Sequence, residues 1–410
     1  MSREVVVTGL GMTTPLGGDV PSTWEALLAG RSGVRAITDQ WAEEQVSRIA
    51  GYMAVDPTDV LDKVEARRLD RSQQAALVAA REAWAHAGAP AVDPDRLGAV
   101  VATGIGGLGA LMDAQHTLET RGASRVSPHL VTMIMPNGPA AIVGLEVGAR
   151  AGVHTPVSAC ASGAEAISYA ANMIREGRAD VVIAGGTESV IRPIVMAGFG
   201  SMRALSTRND DPERASRPYD TGRDGFVMAE GAGLVVLEAA EFAAARGATI
   251  HGVYGGSGLC SDGHHIAQPD PEGRGAARAI GLALADAGLS VQDIVHVNAH
   301  ATSTPQGDIA ESVAIRAAFG AATDGLAVSG TKSMTGHLLG GTGAVESIFT
   351  ILALRDRLAP PTINLESLDP EVDVPVVTAT PQPLPTGAVA AINNSFGFGG
   401  HDVCVVFRSV

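Results

Sequence analysis

The sequence is short of three things. It has few cysteines: Cys160, Cys260 and Cys404 are the only thiols in 410 residues. Three thiols cannot staple a fold of this size, so no disulfide framework is expected, and the count suits a reducing compartment. It is short of positive charge, with 29 Lys and Arg against 44 Asp and Glu, a net −15. Such an acidic surface argues against nucleic acid and anionic membrane as bulk partners. It also lacks a long unbroken apolar run. The longest uncharged apolar stretch, 97–112, is interrupted by five glycines and falls short of a membrane span. The opening Met1-Ser2-Arg3-Glu4 places an acid early, unlike a secretory leader. These absences predict a soluble, cytoplasmic protein.

What is present is a compact globular composition, 46% hydrophobic and 18% charged. Glycine is abundant at 50 residues, well above the usual ~7%, which implies tight turns and close backbone approaches. The length suits two domains, or one large domain with an internal duplication.

Along the chain, buried-strand patterns at 4–8, 97–103 and 179–186 alternate with helical ones at 24–28, 73–87 and 140–147. A Gly-rich turn is expected after the first strand, around Gly9, Gly11, Gly17 and Gly18. Alternating buried strands and helices predict an α/β fold with both sheet faces covered. The two halves echo each other. Ser162-Gly163-Ala164 and Thr342-Gly343-Ala344 each open a small-residue helix after a strand. A duplicated α/β unit is the expected architecture, with residues 1–250 and 251–410 as its halves.

Four segments carry chemistry. In Val157-Ser158-Ala159-Cys160-Ala161-Ser162-Gly163, the apolar run 153–157 reads as the end of a buried strand. A helix follows, with Ala164, Ile167, Ala170, Ala171 and Ile174 on one face and Arg175-Glu176-Gly177 as its stop. That puts Cys160 at a helix N-terminus, where the dipole favours thiolate and a nucleophile. A buried free cysteine can equally be a small core residue. Val297-Asn298-Ala299-His300-Ala301-Thr302-Ser303-Thr304 presents His300 at the C-terminal edge of a strand, as a turn histidine or a catalyst. Lys332-Ser333-Met334-Thr335-Gly336-His337 sets a cation and an imidazole five residues apart in a Gly-rich loop, with Glu346 on the next helix placed to pair with Lys332. Alternatively this is an anion-binding loop. Asn393-Asn394-Ser395-Phe396-Gly397-Phe398-Gly399-Gly400 sets a bulky ring between glycines, or a hairpin packing two rings into the core.

Together the four segments resemble the elongating β-ketoacyl-[acyl-carrier-protein] synthases of the thiolase superfamily, in particular the synthase II branch. The resemblance runs from Val5-Val6-Val7-Thr8-Gly9 to Phe398-Gly399-Gly400 and includes Arg217-Pro218-Tyr219-Asp220, Arg223-Asp224-Gly225-Phe226 and Pro360-Pro361-Thr362-Ile363-Asn364. It implies a thiolase-like fold of two duplicated halves in five α-β-α-β-α layers, working as a homodimer. It implies a decarboxylative Claisen condensation on acyl carrier protein, with no cofactor beyond the carrier's phosphopantetheine.

By the resemblance, Cys160 accepts the acyl chain, and the N–H groups of Cys160 and Phe398 form the oxyanion hole. His300 and His337 stabilise the malonyl-derived enolate, and Lys332, held by Glu346, polarises the site. Phe398 is a gate, freed to move by Gly397 and Gly399. Thr302 and Thr304 bind the pantetheine arm, and Asp262 and His265 lie on a loop that moves with the gate. The acyl pocket runs near 106–112 and 133–136, toward the dimer contact. Arg67, Arg68 and Arg203 match the carrier-docking surface. No metal is required. In related enzymes a monovalent cation can sit nearby, and the matching positions are Asn298, Glu346, Asn393 and Asn394. Asp262-x-x-His265 could alone suggest a metal, but no third ligand accompanies it at suitable spacing.

Three positions depart from the family pattern: Ala301 and Ala229 stand where glycine is commoner, and His401-Asp402 follows the gate where Thr-Asn or His-Asn is usual. A thiolase would need a second catalytic cysteine in the 397–400 loop, which offers none. An initiating synthase would carry Asn where His337 stands. A non-catalytic chain-length partner would lack Cys160. A ketosynthase of a specialised polyketide pathway, or an inhibitor-resistant duplicate, would share the same residues.

Overall fold

The computed structural model describes residues 3–410. The first half supplies strands β1 (Val5–Thr13), β2 (Leu97–Ala102), β3 (Gly152–His154), β4 (Val181–Glu188) and β5 (Gly231–Ala239). The second supplies β6 (Gly252–Ser261), β7 (Ile294–Asn298), β8 (Ala327–Ser329), β9 (Ala390–Gly397) and β10 (His401–Arg408). In space the first set runs β3-β2-β4-β5-β1 and the second β8-β7-β9-β10-β6. The two orders are the same when each half is counted from its own first strand. The senses match too. In each half the two outermost pairings are parallel and the two inner ones antiparallel. The half-sheets join where Val5–Val7 of β1 pairs antiparallel with Gly252–Tyr254 of β6.

Helices complete the layers. α1 (Arg71–His86) and α3 (Gly138–Val147) cover the outer face of the first half-sheet, while α2 (Leu108–Arg121) lies in the connection between β2 and α3. α4 (Ser162–Arg175) packs between the half-sheets. α5 (Arg274–Ala287) covers the outer face of the second half-sheet, with α6 (Pro305–Phe319) beside it. α7 (Thr342–Asp356) joins α4 at the centre. The strands read as near-continuous apolar runs because both faces are covered. On β4, Val182 and Ala184 face the central core while Val181 and Ile183 face the outer one. On β10, Val403, Val405 and Phe407 point inward, and Cys404 and Val406 outward to α5. This is the period-two alternation of a strand. Residues 342–354 of α7 are all buried, as a helix apolar all round must be.

Two local expectations change. β1 does not stop at Thr8 but continues to Thr13, so Gly9 and Gly11 are strand residues and not a turn. They are glycine because α1 lies on them. A Cβ at Gly9 would stand 2.2 Å from the Ala83 carbonyl oxygen, and one at Gly11 2.1 Å from that of Ala79. The apolar run 153–157 is not a buried strand. β3 is three residues long and sits at the sheet edge, and Val153 and Val157 are 40% and 53% exposed.

Candidate active site

Cys160 occupies a single 3-10 turn, Ala159–Ala161, that leads into α4. The matching turn before α7 is Leu339–Gly341. In both, the first residue has left-handed φ, 51° at Ala159 and 45° at Leu339. The echo between the halves is therefore a structural equivalence, and Gly340 stands where the duplicate of Cys160 would.

Into the same cavity come His300, from the turn after β7, and His337, from the loop between β8 and α7. It holds about 730 Å³ and is also lined by Cys160, Phe396, Phe398 and Thr304. The imidazole rings are edge-to-face, with centroids 5.5 Å apart and planes at 87°. His337 Nδ1 is 3.0 Å from Thr342 Oγ1. Its Nε2 is buried with no partner, as is His300 Nδ1. Burial, then the nearby Lys332 charge, pushes both rings well below the usual histidine value, with each ring's neighbour adding to the effect at His300. They are neutral at physiological pH.

Lys332 is 1% exposed. Its Nζ donates to Glu346 Oε1 and Oε2 at 2.7 and 2.8 Å, and also to the His300 carbonyl oxygen. The pairing expected from sequence is present. Burial raises the Glu346 carboxyl to about 7 against the lowering effect of Lys332.

The Cys160 thiol departs from expectation. Burial pushes it up to about 12. Lys332 and the N–H groups of Phe398 and Cys160 itself pull it down, and Glu188 pushes it up further. Desolvation of a thiolate outweighs the dipole of one helix, so the free residue is a thiol.

Several residues escaped the sequence reading. Glu311 on α6 accepts from the His300 and Ala301 N–H groups, both at 2.7 Å, and so fixes the turn that carries the imidazole. Three residues earlier, Asp308 accepts from Ser303 and Tyr219 N–H groups. Two buried acids at i and i+3 on a helix of Ala and Ile were the available signal. Arg223 donates to the carbonyls of Thr304 and Pro305, and the Arg217 N–H donates to Ser303 Oγ. The 217–226 segment thus cradles the 300–305 turn. Glu188 accepts from Thr103 Oγ1 and from the Gly104, Ile105 and Gly340 N–H groups. It ties the turn equivalent to the cysteine turn to the 103–106 loop.

Phe398 lies on the β9–β10 connection and is 37% exposed, its ring 6.2 Å from that of Phe199. Gly397 is required there, since a Cβ would stand 2.4 Å from the Ser158 carbonyl oxygen. Gly399 and Gly400 have φ of 92° and 73°, a region that favours glycine. Thr302 and Thr304 hydroxyls are 3.0 Å apart at the cavity wall. Asp262 and His265 line the same cavity. Arg203 is exposed and lines it too, whereas Arg67 and Arg68 are exposed on the short turn before α1, away from the wall. No residue of 106–112 or 133–136, where the acyl pocket was expected, lines this cavity, and Gly104 and Ile105 are the nearest in sequence that do.

Of the four suggested cation positions, Asn298, Asn393 and Glu346 belong to one hydrogen-bond network through Thr331, and Asn394 faces away from it. Successive residues on β9 face opposite ways. Asn393 donates to the Gly343 carbonyl and to Ser347 Oγ, while Asn394 donates to Glu311 on the other face. Asn298 Nδ2 donates to Asn393 Oδ1, and its Oδ1 accepts from Thr331 Oγ1, which also reaches Glu346. The side-chain oxygens of Asn298, Asn393 and Glu346 are engaged in hydrogen bonds, whereas Asn394 Oδ1 is buried with no partner. Among the described residues no group of three or more His, Cys, Asp and Glu is arranged to hold a metal ion.

A cysteine and two neutral imidazoles thus share one cavity, and the buried Lys332–Glu346 pair lies behind it, against the His300 carbonyl. The family model for the N-terminal domain of β-ketoacyl synthases matches residues 2–243, and that for the C-terminal domain matches 251–366. The chain belongs to the β-ketoacyl synthase family. The synthase is 48% identical to 3-oxoacyl-[acyl-carrier-protein] synthase 2 of Mycobacterium tuberculosis over 406 residues, 98% of this chain and 96% of that one. It is 44% identical to the protein of the same name from Synechocystis over 409 residues, covering 99% and 98%. Among solved structures it resembles a type II polyketide ketosynthase in complex with its acyl-carrier protein, with a TM-score of 0.92, 31% identity and full coverage of both chains.

Proposed function

We propose that the protein elongates acyl chains on acyl carrier protein by two carbons through decarboxylative condensation with malonyl carrier, as in fatty acid biosynthesis. The observation that supports this most is the pairing of Cys160 with two buried, neutral imidazoles in one cavity.

In the first half-reaction the Cys160 thiol loses its proton to a neutral imidazole, and the sulfur attacks the acyl thioester. The tetrahedral oxyanion forms against the Cys160 and Phe398 N–H groups. The pantetheine sulfur leaves and takes a proton. Malonyl carrier then enters, and loss of CO₂ leaves an enolate. His337 Nε2–H is held in that tautomer when the Thr342 hydroxyl donates to Nδ1. With His300 it donates to the enolate oxygen. The carbanion attacks the acyl-Cys160 carbonyl, and the Cys160 sulfur leaves as a thiolate and takes up a proton from solvent to restore the thiol. Lys332, neutralised by Glu346, acts through the His300 carbonyl that it holds, as a positioning residue. Phe398 is the gate, and Asp262 and His265 move with it. Thr302 and Thr304 bind the pantetheine arm, and Arg203, with Arg67 and Arg68, receives the acidic carrier.

The same reading makes the enzyme a cytoplasmic homodimer built from halves 1–250 and 251–410. Val153 on edge strand β3, Leu145 on α3 and Leu111 and Leu118 on α2 are exposed apolar side chains, the kind of surface a second copy covers. Fatty acid elongation is preferred over a specialised polyketide role because the synthase 2 relatives are 44–48% identical and the polyketide ketosynthase is 31%. A non-catalytic chain-length partner would have no use for the cysteine and both imidazoles together. The test is product analysis: acyl carrier plus malonyl carrier should give CO₂ and a β-ketoacyl carrier two carbons longer. Release of CO₂ without a lengthened chain would contradict the proposal.

A further inference from the structure

Behind the gate loop lies a pair of carboxyls that the reaction does not use. Asp402, the second residue of β10, stands opposite Phe396 of β9 and Cys260 of β6. It is 3% exposed, and no N–H or hydroxyl donor meets its Oδ2. Asp262, on the loop after β6, comes up beside it. Asp262 Oδ1 and Asp402 Oδ2 each stand 2.3 Å from the point where a Cβ on Gly275 of α5 would sit. At most twice that distance separates the two oxygens.

The surroundings offer little positive charge. Asp270 is a third acid of the cluster, its N–H donating to Asp262 Oδ2 at 3.1 Å. Arg274 on α5 is committed to Asp270 at 2.7 Å and is itself exposed. Arg278 on α5 faces Cys260, a half-buried thiol that donates to the Gly275 carbonyl. His264 faces Asp270, and His401 is exposed at the start of β10. None of these cations pairs with Asp402. Two unneutralised carboxylates at this separation in a buried place repel strongly, and one of them keeps a proton. Burial, then Asp262 and Asp270, pushes the Asp402 carboxyl up to about 8.

The two loops of the gate meet beside the pair. The Asp262 N–H donates to the Gly400 carbonyl at 2.9 Å, and the Gly399 N–H to the Ile266 carbonyl at 2.8 Å. We propose that Asp402 and Asp262 share one proton, and that this proton clamps the 397–400 gate loop to the 261–270 loop. Its loss to solvent at mildly alkaline pH takes the pair from one negative charge to two and loosens the gate. The inference rests on reading Phe398 as the gate, and it makes substrate admission pH-dependent independently of the cysteine.

The test uses the full-length enzyme and its Asp402→Asn variant, whose amide can donate to Asp262 without titrating. Infrared difference spectra should show a protonated-carboxyl band in the wild type that fades between neutral and mildly alkaline pH and is missing from the variant. In parallel, the rate of Cys160 acylation by acyl carrier is divided by its rate of alkylation with iodoacetamide, which cancels titration of the thiol. That ratio should change several-fold over the same interval in the wild type and stay flat in the variant. A wild type with no such band, or a variant whose ratio follows the wild-type profile, overturns the proposal. Absence of acyl transfer in both proteins at every pH overturns the ketosynthase reading on which it stands, and the infrared band, which needs no substrate, tells the two failures apart.

Discussion

Gly163 and Gly343 meet across the centre of the molecule, each lying where the other half's helix begins. A Cβ on Gly163 would stand 2.7 Å from the Ala344 nitrogen, and one on Gly343 2.7 Å from the Ala164 nitrogen. This reciprocal contact is where the duplicated halves touch, one turn from Cys160. Replacing Gly343 by Ala should cost at least ~1–3 kcal/mol as overpacking, seen as a lower midpoint in thermal unfolding. Gly281 on α5 has nothing within 4 Å of its added Cβ. The same replacement there should stabilise by ~0.5–1 kcal/mol. Equal effects at the two sites would contradict the packing described.

The Lys332–Glu346 pair is closed to water, with both side chains 1% exposed. Removing one partner leaves the other charge buried and alone, which typically costs ~3–5 kcal/mol. Lys332→Met should therefore be markedly less stable in denaturant unfolding, and the double replacement Lys332→Met with Glu346→Leu should recover much of the loss. No recovery in the double variant would show that the pair acts through something besides its charges.

Burial holds Cys160 as a thiol, with its pKa pushed up to about 12. Its alkylation by iodoacetamide should climb about tenfold per pH unit from neutral into alkaline solution, tracking the thiolate fraction. A plateau near neutral pH would mean a stabilised thiolate.

Asp402 also has a consequence for stability. Its folded-state pKa of about 8 lies far above the ordinary carboxylate value of 3.8. Between those two pH values the folded state holds a proton that the unfolded chain has lost. This contribution is therefore full below the ordinary value and falls away as pH rises through the folded one. The wild type should lose stability relative to Asp402→Asn as pH rises from mildly acidic to alkaline, read as a widening gap in unfolding midpoint. A gap independent of pH would show that Asp402 does not titrate in the folded protein.

Much of this was legible from sequence, and the failures have physical causes. Local pattern found α1, α3 and α4 to within a few residues, and the start of α7. The segments around Cys160, His300, Lys332 and Phe398 do share one cavity. Pattern misread Gly9 and Gly11 as a turn, because what demands glycine there is the backbone of α1, some seventy residues away in sequence. It misread 153–157 as buried, because an edge strand and a core strand have the same apolar content. Helix dipole logic favoured a thiolate at Cys160, but burial is a property of the assembled cavity. Glu311 and Glu188 were missed because most of their partners are backbone N–H groups, which no side-chain motif encodes.

The measurement that bears most directly on the central claim is the intact mass of the enzyme after incubation with acyl carrier proteins of graded chain length, beside a Cys160→Ala control. The account predicts an acyl adduct on the wild type and none on the control, discharged when malonyl carrier is added. An adduct that survives the Cys160→Ala replacement, or no adduct with any chain length, would contradict it.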